Sequence, residues 1–283
     1  MSRPSTRTAP APRSAPHVRP AALRRRLFRL VDRAADLDDV RADVEANHDN
    51  NRWWPITIAD PRMRMLAAGW STRVSYNMIS TYARVIADAD ARSFDTLTGM
   101  ADDELTGLVT PLGLPEARIT YLRSLDEFLN GYTAAGVDPQ AMPANAFIAA
   151  FAAKVRQASY KVAQCAALYA RGYHCGIIPV DSGMVAHLAP VLGLPLPSGP
   201  IAHEHMRRVL QDAVAARAAD YRDLIAAKQH AVTLPDGVAP TWWVHLVLIY
   251  FKRRYLNRPH PDVCQRRPVC TTVIGCGHQA RRP

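Results

Sequence analysis

Apolar residues along most of this chain recur every three to four positions, which is the spacing that places them on one face of an α-helix. Leu27, Leu30 and Val31 form the first such stripe, with arginines on the opposite face. No segment shows the strict alternation of apolar and polar residues that a half-buried strand requires, so the pattern predicts an all-α fold. The predicted helices cover roughly residues 22–34, 61–67, 74–87, 102–110, 116–129, 143–151, 160–170, 184–192, 201–228 and 242–254.

Composition divides the chain into three parts. Residues 1–22 are rich in Pro, Arg, Ser and Ala, which predicts a disordered basic arm, because such a segment cannot bury enough apolar surface to order itself. Residues 23–256 carry the helical patterns and predict one helical domain with two lobes. Residues 257–283 predict a basic loop that contains cysteines.

The positive charge is concentrated at the two ends. Residues 1–26 contain seven arginines and no acid, and residues 252–283 contain eight basic residues and a single acid. The whole chain carries +10, so the part between the ends is mildly acidic. Basic arms favour a polyanionic partner, because each phosphate contact releases condensed counterions. A soluble disordered tail is the equally weighted alternative for the N-terminal arm.

Nothing in the sequence predicts a membrane protein. No run of eighteen or more uncharged apolar residues occurs, and the N-terminal residues lack the apolar core of a secretory signal. We therefore expect a cytoplasmic, nucleoid-associated monomer, although the arginine-rich start also fits an organelle transit peptide. Five cysteines are an odd number, which argues against a disulfide framework and favours metal ligands or plain thiols.

Four segments occur in an order that resembles one enzyme family. They are Gly69-Trp70-Ser71-Thr72, Val109 to Leu114, Ser159-Tyr160-Lys161 with its following helix, and Ile178-Pro179-Val180-Asp181-Ser182. A helix that ends in Lys252-Arg253-Arg254 follows and leads into the cysteine cluster. Together these segments resemble the helix-hairpin-helix DNA glycosylases of the endonuclease III branch. The resemblance implies a bilobal helical bundle with a central DNA-binding cleft.

The resemblance assigns catalysis to Lys161 and Asp181. Cleavage of an N-glycosidic bond builds positive charge on the sugar, so a nearby carboxylate lowers the barrier. A deprotonated lysine can attack the anomeric carbon and form a Schiff base, which then permits strand cleavage. Tyr160 is an alternative to the lysine and would make the enzyme monofunctional. Without the resemblance, Lys161 is an ordinary surface lysine and Asp181 a helix cap.

Two further segments imply contacts with opened DNA. Leu114 takes the place of the family's leucine wedge, which enters the duplex beside the flipped base; its alternative is the hydrophobic contact of a helix cap. Trp70 stands where the family has a glutamine, and its indole could stack on the orphaned base. A tryptophan of the hydrophobic core is nearly as good an interpretation of Trp70.

The hairpin departs from the family pattern. Family members have two glycines there, which let backbone N–H groups approach a phosphate. Here the corresponding run is Val155-Arg156-Gln157-Ala158-Ser159. Gln157 and Ser159 would crowd that approach, whereas Arg156 could restore a phosphate contact through its charge.

The cysteine cluster resembles an incomplete iron–sulfur loop. Cys270 and Cys276 keep the family's final spacing, and Cys264 could supply a third ligand. Three thiolates leave an iron–sulfur cluster one ligand short unless a histidine completes it. A zinc ion is an alternative, and so is no metal.

The sequence thus predicts a base excision repair glycosylase, with or without lyase activity, that acts on duplex DNA with a damaged or mispaired base. A non-catalytic DNA-binding protein on the same fold is the first alternative. A helical interaction protein unrelated to DNA is the second.

Overall fold

The computed structural model describes residues 20–50 and 57–257. Within these residues the secondary structure is helical, without any β-strand, so the predicted all-α fold is confirmed. The first seven helices are α1 (Pro20–Ala35), α2 (Asp38–His48), α3 (Pro61–Trp70), α4 (Ile79–Asp90), α5 (Phe94–Gly99), α6 (Asp102–Val109) and α7 (Pro115–Ala134). The next six are α8 (Ala144–Lys154), α9 (Tyr160–Arg171), α10 (Ala189–Leu192), α11 (Ile201–Ala215), α12 (Ala218–Ala227) and α13 (Thr241–Phe251).

The helices form two groups with a cleft between them. In the central group α9 packs against α3 and α8, and α7 packs against α3 and α6. In the other group α13 packs against α1 and α2, so the two ends of the described chain meet there. Helix α11 contacts both α9 and α13 and joins the groups.

Helix α13 is the most apolar element, and all eleven of its residues are buried. A helix that is hydrophobic on every side belongs in the interior of a protein. Its last turn widens into a π-helical segment, Lys252–Leu256, which carries the first charged side chains after eleven uncharged residues. Among the described helices, none has both the length and the apolarity that crossing a membrane demands.

Several helix ends follow from local chemistry. Asp60 caps α3 as its sequence predicts, since its carboxylate accepts a hydrogen bond from the Arg62 N–H at 2.8 Å. The helix predicted from residue 74 begins at Ile79 instead, after a 3₁₀ turn at Tyr76–Met78. The helix predicted over 201–228 is broken into α11 and α12. At the break, the guanidinium of Arg217 lies 3.9 Å from the centre of the Phe28 ring.

Candidate active site

A cavity of about 250 Å³ lies between the two groups of helices. Its apolar walls are formed by α9 and α13. Charged and titratable side chains enter it from four places: the turn after α3, helix α9, the loop after α9, and α13 with its π-helical end. The polar lining residues are Ser71, Arg73, Lys161, Cys165, Asp181, His245 and Arg253, and the aromatic ones are Tyr169, Trp242 and Tyr250.

Asp181 accepts two hydrogen bonds, one on each carboxylate oxygen. Its Oδ1 accepts the Met184 N–H at 2.7 Å, so it does cap the following helical turn. Its Oδ2 forms an ion pair with the Nζ of Lys252. Burial alone would raise the pKa of Asp181, but these bonds and the charge of Lys161 outweigh it, so the pKa lies below the ordinary value. Asp181 is therefore an oriented carboxylate at neutral pH.

Lys252 is the functional residue that the sequence did not single out. Its side chain is only 2% exposed, and burial lowers its pKa despite the attraction of Asp181. The π-helical turn after α13 carries this lysine, whose ammonium reaches the carboxylate. A lysine placed directly after a wholly apolar helix is a sequence signal for such a buried charge, but it does not say which acid is the partner.

Lys161 lines the same cavity as Asp181, as the resemblance to the glycosylases implied. It lies in the first turn of α9, one helical turn before Cys165, and both residues line the cavity. Burial raises the pKa of Cys165, although Lys161 opposes the effect, so Cys165 is a neutral thiol. Lys161 also lines an adjoining surface depression together with Tyr160 and Ser159. Tyr160 is not part of the main cavity wall.

Three rings are stacked along one wall of the cavity. The rings of Tyr173 and Trp242 lie 4.4 Å apart at 11°, and those of Trp242 and His245 lie 5.3 Å apart at 21°. Burial, together with the charges of the neighbouring cations, lowers the pKa of His245 to about 3, although Asp181 opposes the shift. His245 therefore stays an uncharged imidazole. Its Nδ1 is buried and finds no hydrogen-bond partner in the described structure.

A buried polar network fixes the loop that carries Asp181. The Val180 N–H donates to Oε1 of Gln164 at 2.9 Å, and the Gln164 amide donates to Glu204 at 3.2 Å. Glu204 in turn is paired with Arg207, and both of these side chains are at most 2% exposed. Because Val180 directly precedes Asp181, this network sets the backbone position of the carboxylate.

The prediction that Trp70 stacks on DNA is wrong. Its side chain is fully buried, and its Nε1 donates to the Arg118 carbonyl at 3.1 Å. Trp70 is the last residue of α3, a helix whose apolar side packs against α7 and α9, so the indole belongs to the core. Arg73, three residues later, lines the cavity together with Ser71 and Val74 of the same turn. Its φ is 58°, a conformation that residues other than glycine rarely adopt.

Leu114 is exposed, as a wedge must be. Its side chain is 46% exposed and its φ is 54°, again in the left-handed region. The buried guanidinium of Arg118 connects this turn to the one that contains Arg73. It donates to the carbonyls of Gly113 at 2.7 Å and Thr72 at 3.2 Å, and it also bonds the Trp70 carbonyl. One cation thus holds both turns.

The hairpin keeps a tight turn without its glycines. Gln157 has a φ of 65°, the conformation that glycine adopts most easily. Ser159 caps α9, with its Oγ 3.5 Å from the Val162 nitrogen. The Arg156 backbone N–H donates to Ser124 at 2.9 Å, whereas its side chain is 61% exposed and faces no closer acid than Glu127 at 3.8 Å. Arg156 is therefore free to contact a phosphate.

The predicted metal ligands Cys264, Cys270 and Cys276 lie outside the described residues. Inside them, Cys165 and Cys175 are free thiols. No group of three or more His, Cys, Asp or Glu side chains in that part of the chain has the geometry of a metal site. The expectation of an iron–sulfur cluster or zinc ion stays a prediction.

Comparison with known proteins identifies the fold. The chain is similar to the H. pylori 3-methyladenine DNA glycosylase MagIII, whose structure was solved bound to 1,N6-ethenoadenine. The similarity has a TM-score of 0.55 and 13% sequence identity, and it covers 82% of this chain and 99% of MagIII. This chain has the fold of a DNA glycosylase. The helix-hairpin-helix architecture implied by the sequence is thereby confirmed.

The likeness to MagIII is one of fold and not of sequence. No protein-family model matches the chain, and no curated protein sequence matches it either. At 13% identity the comparison with MagIII leaves catalytic residues and substrate to be argued from the cavity itself.

Proposed function

We propose that this protein is a DNA N-glycosylase that accepts a flipped, damaged base in the cavity and hydrolyses its bond to deoxyribose. The observation that carries the proposal is the oriented carboxylate of Asp181 beside Lys161, in an aromatic-lined cavity on the fold of a DNA glycosylase. The depression next to the cavity, together with the exposed Leu114 and Arg156, supports a duplex bound across the cleft.

The chemistry follows from charge. As the bond between C1′ and the base nitrogen breaks, its electron pair leaves with the base and positive charge develops on the sugar. A preorganised carboxylate stabilises that charge without having to reorient. Water then attacks C1′ and loses a proton, which completes the hydrolysis. Asp181 is suited to this role because its carboxylate is held ionised and fixed by Met184 and Lys252.

Asp181→Asn tests the proposal directly. We expect it to reduce base release from damaged duplexes by about a hundredfold or more while leaving duplex affinity within about twofold, because a carboxamide cannot offset developing charge. The measurement is single-turnover release of free base, with binding followed by anisotropy. Asp220→Asn is the matched control, since Asp220 forms only a surface ion pair with Arg217.

Asp181→Asn alone leaves Lys252 buried without its partner, which could unfold the protein. The double variant Asp181→Asn with Lys252→Met removes both charges and keeps the side-chain volumes similar. We expect it to fold, as judged by circular dichroism, and to bind DNA without releasing base. Full activity in either folded variant would rule out the assignment of Asp181.

A lyase step would need a nucleophilic amine, and two lysines lie next to Asp181. We assign the amine to Lys161, because Lys252 is locked in its ion pair whereas Lys161 faces both the cavity and the adjoining depression. Borohydride added to enzyme on abasic-site DNA should trap a covalent adduct that disappears in Lys161→Ala and persists in Lys252→Met. Base release without any adduct would instead define a monofunctional enzyme.

A further inference from the structure

His245 has a polar atom that the described protein does not satisfy. The residue is 9% exposed, lines the cavity, and its Nδ1 has no hydrogen-bond partner among the described atoms. Leaving a buried nitrogen unpaired destabilises a fold, so a histidine kept at a cavity wall at this cost indicates that its other ring nitrogen, Nε2, serves a ligand. The stacked rings of Trp242 and Tyr173 hold the imidazole in place.

The charges that line the cavity are mostly positive. Among the described residues that line it, Arg73, Lys161 and Arg253 face a single acid, Asp181, whose charge is already balanced by Lys252. A positively charged base would therefore meet net repulsion. An uncharged base would not.

The aromatic side chains of the cavity wall offer a cationic base little attraction to offset this repulsion. Tyr250 is the tyrosine of α13 that lines the cavity, and its ring already has the Arg253 guanidinium 5.5 Å from its centre. Trp242 is already stacked with the imidazole of His245 and with the ring of Tyr173. Cation–π attraction, which is the usual way to bind a charged ring, is thus largely taken up by the protein itself.

Building on the glycosylase activity proposed above, we propose that the cavity selects an electrically neutral, planar base and that His245 hydrogen-bonds its edge. Because Nδ1 is enclosed, the uncharged imidazole offers its Nε2 to the base edge, as donor or acceptor according to its tautomer. This makes His245 a specificity-determining residue, distinct from Asp181, which acts on the sugar.

The chemistry of departure favours the same class of base. A neutral base takes the electron pair of the broken bond and leaves with negative charge, until a proton from water neutralises it. Lys161, Arg253 and the nearby Lys252 stabilise that charge. A base that is cationic in DNA, such as 3-methyladenine, leaves as a neutral molecule and gains nothing from these cations.

The test compares bases of different charge. Full-length protein is given duplexes that contain one neutral base (1,N6-ethenoadenine, hypoxanthine or uracil) and methylated duplex that releases 3-methyladenine. Rates are divided by the spontaneous rate of loss of each base. We expect the acceleration for at least one neutral base to exceed that for 3-methyladenine by about tenfold or more. Equal or greater acceleration of 3-methyladenine release would overturn the selectivity.

His245→Leu tests the assignment of the residue. We expect it to release the preferred neutral base about tenfold more slowly, because one hydrogen bond to the base is lost. The urea midpoint should stay the same or rise, because an unsatisfied buried nitrogen is removed. His230→Leu is the control: His230 is also buried with an unpaired Nε2, but it does not line the cavity, and its substitution should leave base release unchanged.

These measurements distinguish the role of His245 from the glycosylase activity itself. If His245→Leu releases every base as fast as the wild type, the role of His245 is refuted and the glycosylase activity stands. If the wild type releases no base from any duplex, the proposed function fails, and the inference fails with it.

Discussion

The carboxylate of Asp181 lies between a backbone N–H on one side and a buried ammonium on the other. Because the folded-state pKa of Asp181 is lowered, its interactions stabilise the fold above the pKa of a free aspartate. This stabilisation is lost as the pH falls through the folded-state pKa. Lys252 thus both orients Asp181 and keeps it ionised, without touching the substrate.

Lys252→Met should move the acidic limb of base release to higher pH. Without the ammonium, burial is left as the largest influence on Asp181 and raises its pKa. We expect the midpoint of the limb to rise by about one pH unit or more, as measured by single-turnover rates across a pH series. Lys228→Met is the control, because Lys228 pairs with Asp32 at 3.0 Å on the surface. An unchanged pH profile would show that Lys252 is only structural.

At this scale the sequence identified one half of the site. Lys161 and Asp181 could be named because their segments resemble a known family. His245 and Lys252 could not, since both belong to a run whose apolar character predicts only burial. Trp70 is the opposite case. Its place along the chain matches the family's glutamine, but its side chain is buried in the core.

Two turns that Arg118 joins have strained backbones. Leu114 and Arg73 both have positive φ, and Arg118 holds the two turns together through their carbonyls. Strain of this kind persists only where the surroundings enforce it. The turn before α7 is therefore built to keep an exposed apolar side chain in one position.

Leu114→Gly should make the protein more stable and less active on duplex DNA. Glycine relieves the strain at positive φ, for a gain of about 1 kcal/mol in the free energy of unfolding, while the wedge is lost. Base release from duplex should fall, whereas release from a single strand, which has no pair to open, should not. Gln229→Gly provides the control, because Gln229 also has a positive φ, 52°, but lies in the turn after α12, where no contact with DNA is predicted.

The helices that the sequence did not predict have weak patterns of apolar residues. Helix α2 contains only two valines and two alanines among polar residues, too few to produce a clear stripe. Helix α5 has only six residues. The break between α11 and α12 falls in an alanine-rich run without Gly or Pro, so only the tertiary contact of Arg217 with Phe28 reveals it.

At the scale of the whole molecule, the excess of positive charge lies at the two ends of the chain. The net charge is +10, and the basic ends lie outside the described residues except for residues 20–26 and 252–257. Phosphate contacts in the described part therefore have to come from exposed side chains near the cleft. Arg156, in the hairpin turn, is the clearest of these.

Arg156→Gln should weaken duplex binding at every sequence. If Arg156 contacts one phosphate, the slope of log affinity against log salt should become shallower by about one. The measurement is a salt titration of anisotropy with undamaged duplex. Arg41→Gln serves as the control, because Arg41 is paired with Glu45 at 2.9 Å and lines neither the cavity nor the depression. Equal slopes for wild type and Arg156→Gln would remove the hairpin from the interface.

Arg118 has one more consequence. Its guanidinium bonds the carbonyls of both Gly113 and Thr72, so the positions of Leu114 and Arg73 are coupled. A duplex bound against these turns, as we propose, would therefore have to kink and unstack without any adjustment of the two turns. The bases that enter most readily would be those whose neighbours are the easiest to bend.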